Sequence, residues 1–457
     1  MSDSMTQPES QPQLSLEELT GFAKRRGFVF QASEIYGGLA GFWDYGPLGV
    51  ELVNNIKASW WREFVYRRPD MVGLDSAIIQ NPTLWKASGH VEEFVDPMVD
   101  DKVTKKRYRA DHLAGIDTTD LEKLKAALAG KKSPDGNELT EPRMFNLMFT
   151  TKVGAVEEEA ATTYLRPETA GGIFTNFKNV LDTSRQRLPF GIAQIGKSFR
   201  NELTPGEFIF RVRELEIMEF EYFCRPDEAP QHFEDWLKTQ KAWLASIGVR
   251  AEHVHEYEHP VDGRAHYSDR TVDLEFDFPF GTKEITGIAN RTNYDLSQHA
   301  KFSGKELSYF DEETKQHLIP YVIEPTFGLG RIALAVLCDA YHEEQVGDET
   351  RVVLKFTKEI APVKVAILPL SKKPELSKLA HEVFASVAGN YRVEYDETQS
   401  IGRRYRRQDE IGTPYCVTVD FDSLDDQSVT VRDRDTMSQE RIKISELKSY
   451  LDAHLKS

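Results

Sequence analysis

Cysteine is nearly missing from this chain: three in 457 residues, Cys224, Cys338 and Cys416, far apart. So few thiols exclude a disulfide framework, and their spacing offers no paired zinc motif, so no zinc is expected. A reducing, cytosolic setting is the matching expectation. Long apolar runs are absent as well: no stretch reaches the about 18 apolar residues that a membrane-crossing helix needs. The opening segment MSDSMTQPESQPQLS lacks the basic start and apolar stretch of a secretory signal. Polar and acidic, residues 1–15 are expected to form a disordered tail. Positive charge is also in deficit, with 57 Lys and Arg against 74 Asp and Glu, a net −17. That balance argues against a generic polyanion binder, although local basic patches on an acidic body can still bind phosphates. Nothing repeats internally.

What is present is the make-up of a soluble globular protein, 40% hydrophobic and 29% charged. A chain this long suggests two or three domains. Residues 16–65 read as helical at both ends; Val53, Ile56, Trp60 and Phe64 recur at helical spacing. Between the helices YGGLAGFWDYGPLG is crowded with glycine and must be irregular. Residues 111–160 are rich in Lys, Asp and Glu and read as an accessory module, within an insertion spanning about 96–162. LPFGIAQIGKSF and EFIFRVRELEIMEFEYF predict an antiparallel hairpin turned at Pro205-Gly206. In TVDLEFDF, Val272, Leu274, Phe276 and Phe278 alternate with acids, and KEITGIA follows as another strand. PYVIEPTFGLGRIALAVLCDAYHEE reads as strand, glycine-rich turn and helix. The middle of the chain is therefore an antiparallel sheet backed by helices, an α+β arrangement. After Ala361-Pro362 come strand-like VKVAILPL, RVEYD, PYCVTVDF and SVTVRDR, with helical stretches around 375–388, 400–409 and 444–455. These predict a small α/β domain over 361–457, following a larger domain over 16–360.

Gly191-Ile-Ala-Gln-Ile-Gly196-Lys197-Ser198 matches the phosphate-loop pattern GxxxxGK[ST] letter for letter. That loop needs a strand before it and a helix after it. Here the intervening residues are themselves strand-like and FRNELTPG, a turn, follows. A P-loop NTPase is the alternative this match leaves open.

A second constellation carries more chemistry. Arg200 and Glu202 sit at the end of the first hairpin strand, with Arg211, Arg213 and Glu214 on the return strand. On that strand Leu215, Ile217, Glu219, Glu221 and Phe223 share one face by the period of two. Carboxylates beside apolar side chains need a cation or donors. Alone, such a strand reads as a solvated face with cross-strand ion pairs. Glu324-Pro-Thr-Phe-Gly328-Leu-Gly330-Arg331 tips the balance. Its glycines allow close backbone approach, and Arg331 falls in the first turn of a helix, where a cation is unfavourable for the dipole unless an anionic guest is present.

Three separated segments resemble the signature motifs of class II aminoacyl-tRNA synthetases: a helix with Pro47 before it, FRNE with its return strand, and GLGR opening a helix. Within that class the wording resembles the homodimeric glycyl-tRNA synthetases. The matching phrases are YGPLGVELVNNIK, SGHVEEFVDP, RADHL, LRPETA, FRNELTPGEFIFRVRE, GIANRTNYDLSQH, EPTFGLGR and SIGRRYRRQDEIGTPYCVTVDFDSL. The class I signatures HIGH and KMSKS are absent.

The resemblance implies a class II catalytic domain with an anticodon-binding domain after it, and a ligase that activates glycine with ATP and magnesium and esterifies it onto tRNA. It assigns Arg200 to the α-phosphate, Glu202 to the adenine amino group and Arg331 to the distal phosphates. The implied ATP site further holds Asn201, Phe210, Arg211, Val212, Arg213, Glu214, Leu215, Glu284, Ile285, Gly328, Leu329 and Gly330. The implied glycine site holds Arg109, Glu168, Leu215, Glu216, Ile217, Met218, Glu219, Glu324, Pro325, Thr326, Phe327 and Gly328. The sequence departs from the family pattern in three places: Leu215 where an aromatic residue is usual, Thr326 for serine, and Gly171 for glutamine. In the last domain Arg403, Arg404, Tyr405, Arg406 and Arg407 become candidates for tRNA contact. A two-fold dimer is implied, with Trp60, Trp61 and Phe64 either at its interface or in the core. The other readings are a silent relative retained for RNA binding and another class II specificity. The intact arginines and acids argue against the first, the acidic pocket and EPT segment against the second.

Overall fold

The Ser15 hydroxyl caps the first helix, Leu16–Arg26, and Glu18 reaches back to Ser15, so the two residues satisfy each other's N–H groups. The computed structural model describes residues 14–116, 118–154, 162–265, 267–389 and 391–455. The expected tail over residues 1–15 therefore lies outside the described residues except for its last two, of which Ser15 is a cap.

A seven-stranded sheet organises the larger part of the chain. Its strands are β1 (Met71–Gly73), β2 (Phe190–Phe199), β3 (Glu214–Cys224), β4 (Val254–Glu258), β5 (Arg270–Phe278), β6 (Gly281–Thr292) and β7 (Tyr321–Gly328). The spatial order is β4-β5-β6-β7-β3-β2-β1, antiparallel throughout except where β1 runs parallel to β2 at the edge. One face is covered by α1 (Pro47–Trp61), α3 (Ala229–Ser246) and α4 (Leu329–Ala340). There Trp60, Phe64, Phe220, Trp236, Trp243 and Phe327 form a continuous aromatic core. Trp60 and Phe64 are wholly buried within it, and Trp61 is half-buried and packs against it. Gly49 lets α1 approach, since a Cβ there would sit 1.8 Å from the Phe28 carbonyl oxygen.

The opposite face divides along β3. Met218, Phe220, Tyr222 and Cys224 enter the aromatic core; Leu215, Ile217, Glu219, Glu221 and Phe223 point the other way. At one end Phe223 is sealed by α2 (Ala170–Ser184), together with Ile173, Phe174 and Phe177. At the other end Leu215 and Ile217 line an open cavity. Glu219 and Glu221 fall between the two.

Several expectations are corrected. Residues 207–213 are not strand: Glu207 and Phe208 take positive φ values of 57° and 60°, and the return strand starts at Glu214. Phe208, Ile209 and Phe210 look strand-like because they plug the core from a loop. Strand β7 passes straight into α4 at Gly328 without an intervening turn. Tyr341–Val346 opens a further hairpin rather than extending that helix. Within the insertion expected over about 96–162, Val95–Asp100 pairs with Arg107–Arg109 and Arg143–Asn146 in a small sheet, with Leu124 and Leu128 in a core of its own. The part of the module over 155–161 lies outside the described residues.

The C-terminal region builds a five-stranded mixed sheet from Val365–Pro369, Val393–Tyr395, Tyr415–Val419, Ser428–Asp433 and Gln439–Lys443. The last strand carries a single apolar residue, Ile442, and so has no hydrophobic alternation to announce it. Buried Asp409 locks this unit to the hairpin after α4, pairing with Arg351 at 2.8 Å and with Arg432 at 2.9 Å.

Candidate active site

Two adjoining cavities open on the sheet face that β3, β6 and β7 share. The first, about 150 Å³, is lined by Trp43, Tyr45, Arg200, Glu202, Phe210, Arg211, Val212, Glu214, Leu215, Glu216, Ile217, Gly328, Gly330 and Arg331, among others. The second, about 270 Å³, is lined by Glu168, Glu219, Glu324, Tyr267, His259 and Asp273, among others. Arg200, Glu284 and Thr326 are walls of both. Residues distant in the chain thus meet at one place because the sheet brings three strands together there.

In the first cavity, the uncapped N-terminus of α4 presents Gly328 and Gly330 to the space, an arrangement suited to anions. A Cβ at Gly330 would lie 3.0 Å from the Ile209 carbonyl, so glycine permits the loop before β3 to close over the helix end. Arg331 is held by Glu284 at 2.7 Å and lies over the Phe210 ring at 4.5 Å. Arg200 donates to the Pro167 carbonyl at 3.2 Å and stands over the Phe94 ring. Leu215 supplies an apolar wall.

In the second cavity every acid is held differently. Glu219 accepts from the Thr169 amide at 2.8 Å, from the Thr169 hydroxyl, and from Thr326 at 3.3 Å. Glu324 accepts from Arg291 at 2.8 Å, and Arg291 is clamped in turn by Asp295 at 2.8 and 2.9 Å. Glu168 faces the His90 imidazole at 3.2 Å. Burial alone would raise the Glu168 carboxyl; His90, with Arg291 and Arg200 beyond it, outweighs burial and holds it down at about 2. Burial pushes Glu219 up, and the Glu168 charge pushes it further. Burial and the neighbouring Glu284 carboxylate push Asp273 up to about 6, despite a hydrogen bond from His259 at 2.7 Å.

Not every residue singled out in the sequence faces these spaces. Ile285, Leu329, Met218 and Phe327 turn their side chains into the aromatic core, and Pro325 is buried on the same strand face as Phe327. Asn201 ties its backbone to Leu147, and Arg213 staples the Glu202 and Ala40 carbonyls. Arg109 lies outside both cavities, paired with Asp96 at 3.0 Å and Asp111 at 2.6 Å. Glu216, at the first cavity, is paired with Lys57 at 3.1 Å. In the C-terminal unit Arg404 is buried and donates to the Pro369 and Asp396 carbonyls. Tyr405 bonds Thr418, Arg406 reaches Glu349 and Asp409, Arg407 binds Asp396, and Arg403 is exposed. The phosphate-loop lookalike is strand β2 throughout, with Lys197 paired to Glu214 at 2.8 Å.

Sequence reasoning passed over His90, Tyr267 and above all Arg291, whose guanidinium lies 3.8 Å over the Tyr267 ring. The pairing of Arg291 with Asp295 four residues on was the readable signal. Gly171, whose departure from the family pattern carried no consequence in the sequence, has one here. A Cβ there would sit 2.8 Å from Leu84 and 3.4 Å from Trp85, and the Trp85 ring packs edge-on to His90.

Comparison with known proteins now decides the family. The chain is 52% identical over 453 residues to the glycine–tRNA ligase of Bacillus cereus, covering 96% of this chain and 98% of that one. The corresponding ligase of Acetivibrio thermocellus is 52% identical over 454 residues, with the same shares covered. This chain belongs to the glycine–tRNA ligase family. Such a ligase joins glycine to tRNA. Residues 149–341 match the tRNA synthetase class II core domain (G, H, P, S and T), and residues 364–454 match the anticodon binding domain. In fold it is similar to the prolyl-tRNA synthetase of Cryptosporidium parvum, at 15% identity and a TM-score of 0.64, covering 98% of this chain and 77% of that one. Among the described residues no helix is long and apolar enough to cross a membrane.

Proposed function

We infer that the two cavities are the ATP and glycine sites of this ligase, a reading carried by the shared wall of Arg200, Glu284 and Thr326. Glycine presents only an ammonium, a carboxylate and two hydrogens, so selectivity comes from gripping the ammonium and leaving no room for a methyl. Glu168, Glu219 and Glu324 supply the negative charge around the ammonium, and the Thr326 methyl narrows the space. With the ammonium held there, the glycine carboxylate is directed towards the wall where Arg200 stands. Its oxygen attacks the α-phosphorus of ATP, the bond to pyrophosphate breaks, and glycyl-adenylate forms. Arg200 stabilises charge developing on the α-phosphate; Arg331 and the α4 N-terminus receive the departing pyrophosphate. Glu202 and Leu215 orient the adenine. The terminal ribose hydroxyl of tRNA then attacks the adenylate carbonyl and expels AMP. No protein nucleophile is required; positioning and charge do the work.

Magnesium accompanying ATP fits Glu284, with Asp273 beside it, because the mutual repulsion of these acids is what a cation relieves. It would neutralise phosphate charge. Residues 361–457 form the anticodon-binding module in this reading, with exposed Arg403 the best placed of its cluster for tRNA phosphates. In this reading the setting is cytosolic and the molecule is a two-fold dimer.

Arg200→Ala is expected to suppress glycine-dependent ATP–pyrophosphate exchange by roughly two to four orders of magnitude. Lys197→Ala is expected to be mild. Near-normal exchange in the first variant would refute the role of Arg200; abolished exchange in the second would revive the phosphate loop.

A further inference from the structure

Beneath the floor of the second cavity lies a side chain that neither the resemblance nor the mechanism uses. Glu221 is completely buried, on the same face of β3 as Glu219, and neither of its carboxylate oxygens has a hydrogen-bond partner. It does not line the cavity, yet its carboxylate comes within 4.8 Å of those of Glu219 and Glu324. Arg291 and Asp295 are the other charged groups that act on it. An ionised carboxylate in such a place would have no donor and three acidic neighbours, which is the costly form of burial.

The neighbours differ in what they can accept. Both oxygens of Glu219 are already engaged by Thr169 and Thr326. Glu324 gives one oxygen to Arg291. Glu324 also lines the cavity, and its carboxylate lies within 4.8 Å of that of Glu221.

We propose that Glu221 is a positioning residue that stays protonated: a neutral carboxylic acid whose O–H is directed at Glu324 and keeps Glu324 anionic towards the glycine ammonium. Burial raises the carboxyls of both, that of Glu324 to about 8, and the donation from Arg291 favours the ionised form of Glu324, so that the proton the pair shares rests on Glu221. A buried acid kept neutral so that it can donate is an established device of enzyme sites. The inference rests on the glycine-site reading above and adds a residue to it.

The test uses the full-length enzyme and steady-state ATP–pyrophosphate exchange at neutral pH. Glu221→Gln keeps the shape, the neutrality and a donor, and is expected to hold the glycine KM within about threefold of the parent. Glu221→Leu removes the donor and is expected to raise the glycine KM by roughly tenfold or more, the scale of losing a hydrogen bond to a charged group, with the ATP KM unchanged. A glutamine variant as impaired as the leucine variant, or a leucine variant as competent as the parent, overturns the proposal. Should the leucine variant fail to fold, infrared difference spectroscopy decides: the parent minus Glu221→Gln spectrum is expected to show a protonated carboxyl C=O band, and a carboxylate band in its place overturns the proposal. Glu324→Gln, measured alongside, addresses the glycine site itself. An unchanged glycine KM there would sink that reading separately.

Discussion

His90 packs against Glu168, and the pair shows how a single contact sets a carboxyl's charge. Its imidazole, 3.2 Å away, is the largest influence opposing burial. A carboxyl held at about 2 stays ionised throughout the neutral and mildly acidic range. In His90→Ala burial is less opposed, the Glu168 carboxyl rises, and its ionised fraction falls as pH is lowered. The glycine KM of the variant relative to that of the parent is therefore expected to climb as pH is lowered, by up to roughly tenfold for each unit of pH below the new Glu168 value. Exchange kinetics at several pH values check this; superimposable profiles would remove His90 from the account. The buried Arg291 teaches a related lesson. One guanidinium serves Asp295 and Glu324 and covers Tyr267, so the acids of the cavity are oriented before glycine arrives.

At the scale of elements, β3 carries the argument. Its period-two pattern was readable in the sequence, and the structure shows what that pattern does: one face passes from cavity wall to acids to sealed core. The signature turns were legible for the same reason, since they are short local patterns with fixed chemistry. What was not legible depended on partners remote in sequence. Arg404 reads as a basic helix surface until the Pro369 and Asp396 carbonyls are seen to take its donors. Phe208 to Phe210 read as strand because burial in a plugging loop and burial in a sheet demand the same apolar side chains. Glycines escape a sequence reading when the close approach involves another segment, as at Gly49. Gly49→Ala would drive a Cβ into the Phe28 carbonyl, so α1 must shift from the Phe28 backbone it packs beside. The expected cost is about 1–3 kcal/mol, read from urea denaturation. An unchanged midpoint would mean that the helix position is softer than the packing implies.

At the scale of the whole molecule, the catalytic sheet and the C-terminal unit are fastened by buried charge rather than by a flexible tether. Asp409 holds Arg351 and Arg432, while Arg434 reaches the Phe356 carbonyl at 2.8 Å. That join sets the distance between the tRNA end that is charged and the module assigned to the anticodon. Sedimentation equilibrium of the full-length chain is expected to give the mass of two chains; a monomer at micromolar concentration would contradict the dimer. The most direct test of the central claim is a crystal structure with a non-hydrolysable glycyl-adenylate analogue. The account expects the ammonium among Glu168, Glu219 and Glu324, the phosphate analogue against Arg200, and the adenine beside Glu202 and Leu215. An analogue seated with its ammonium away from those three acids would contradict it.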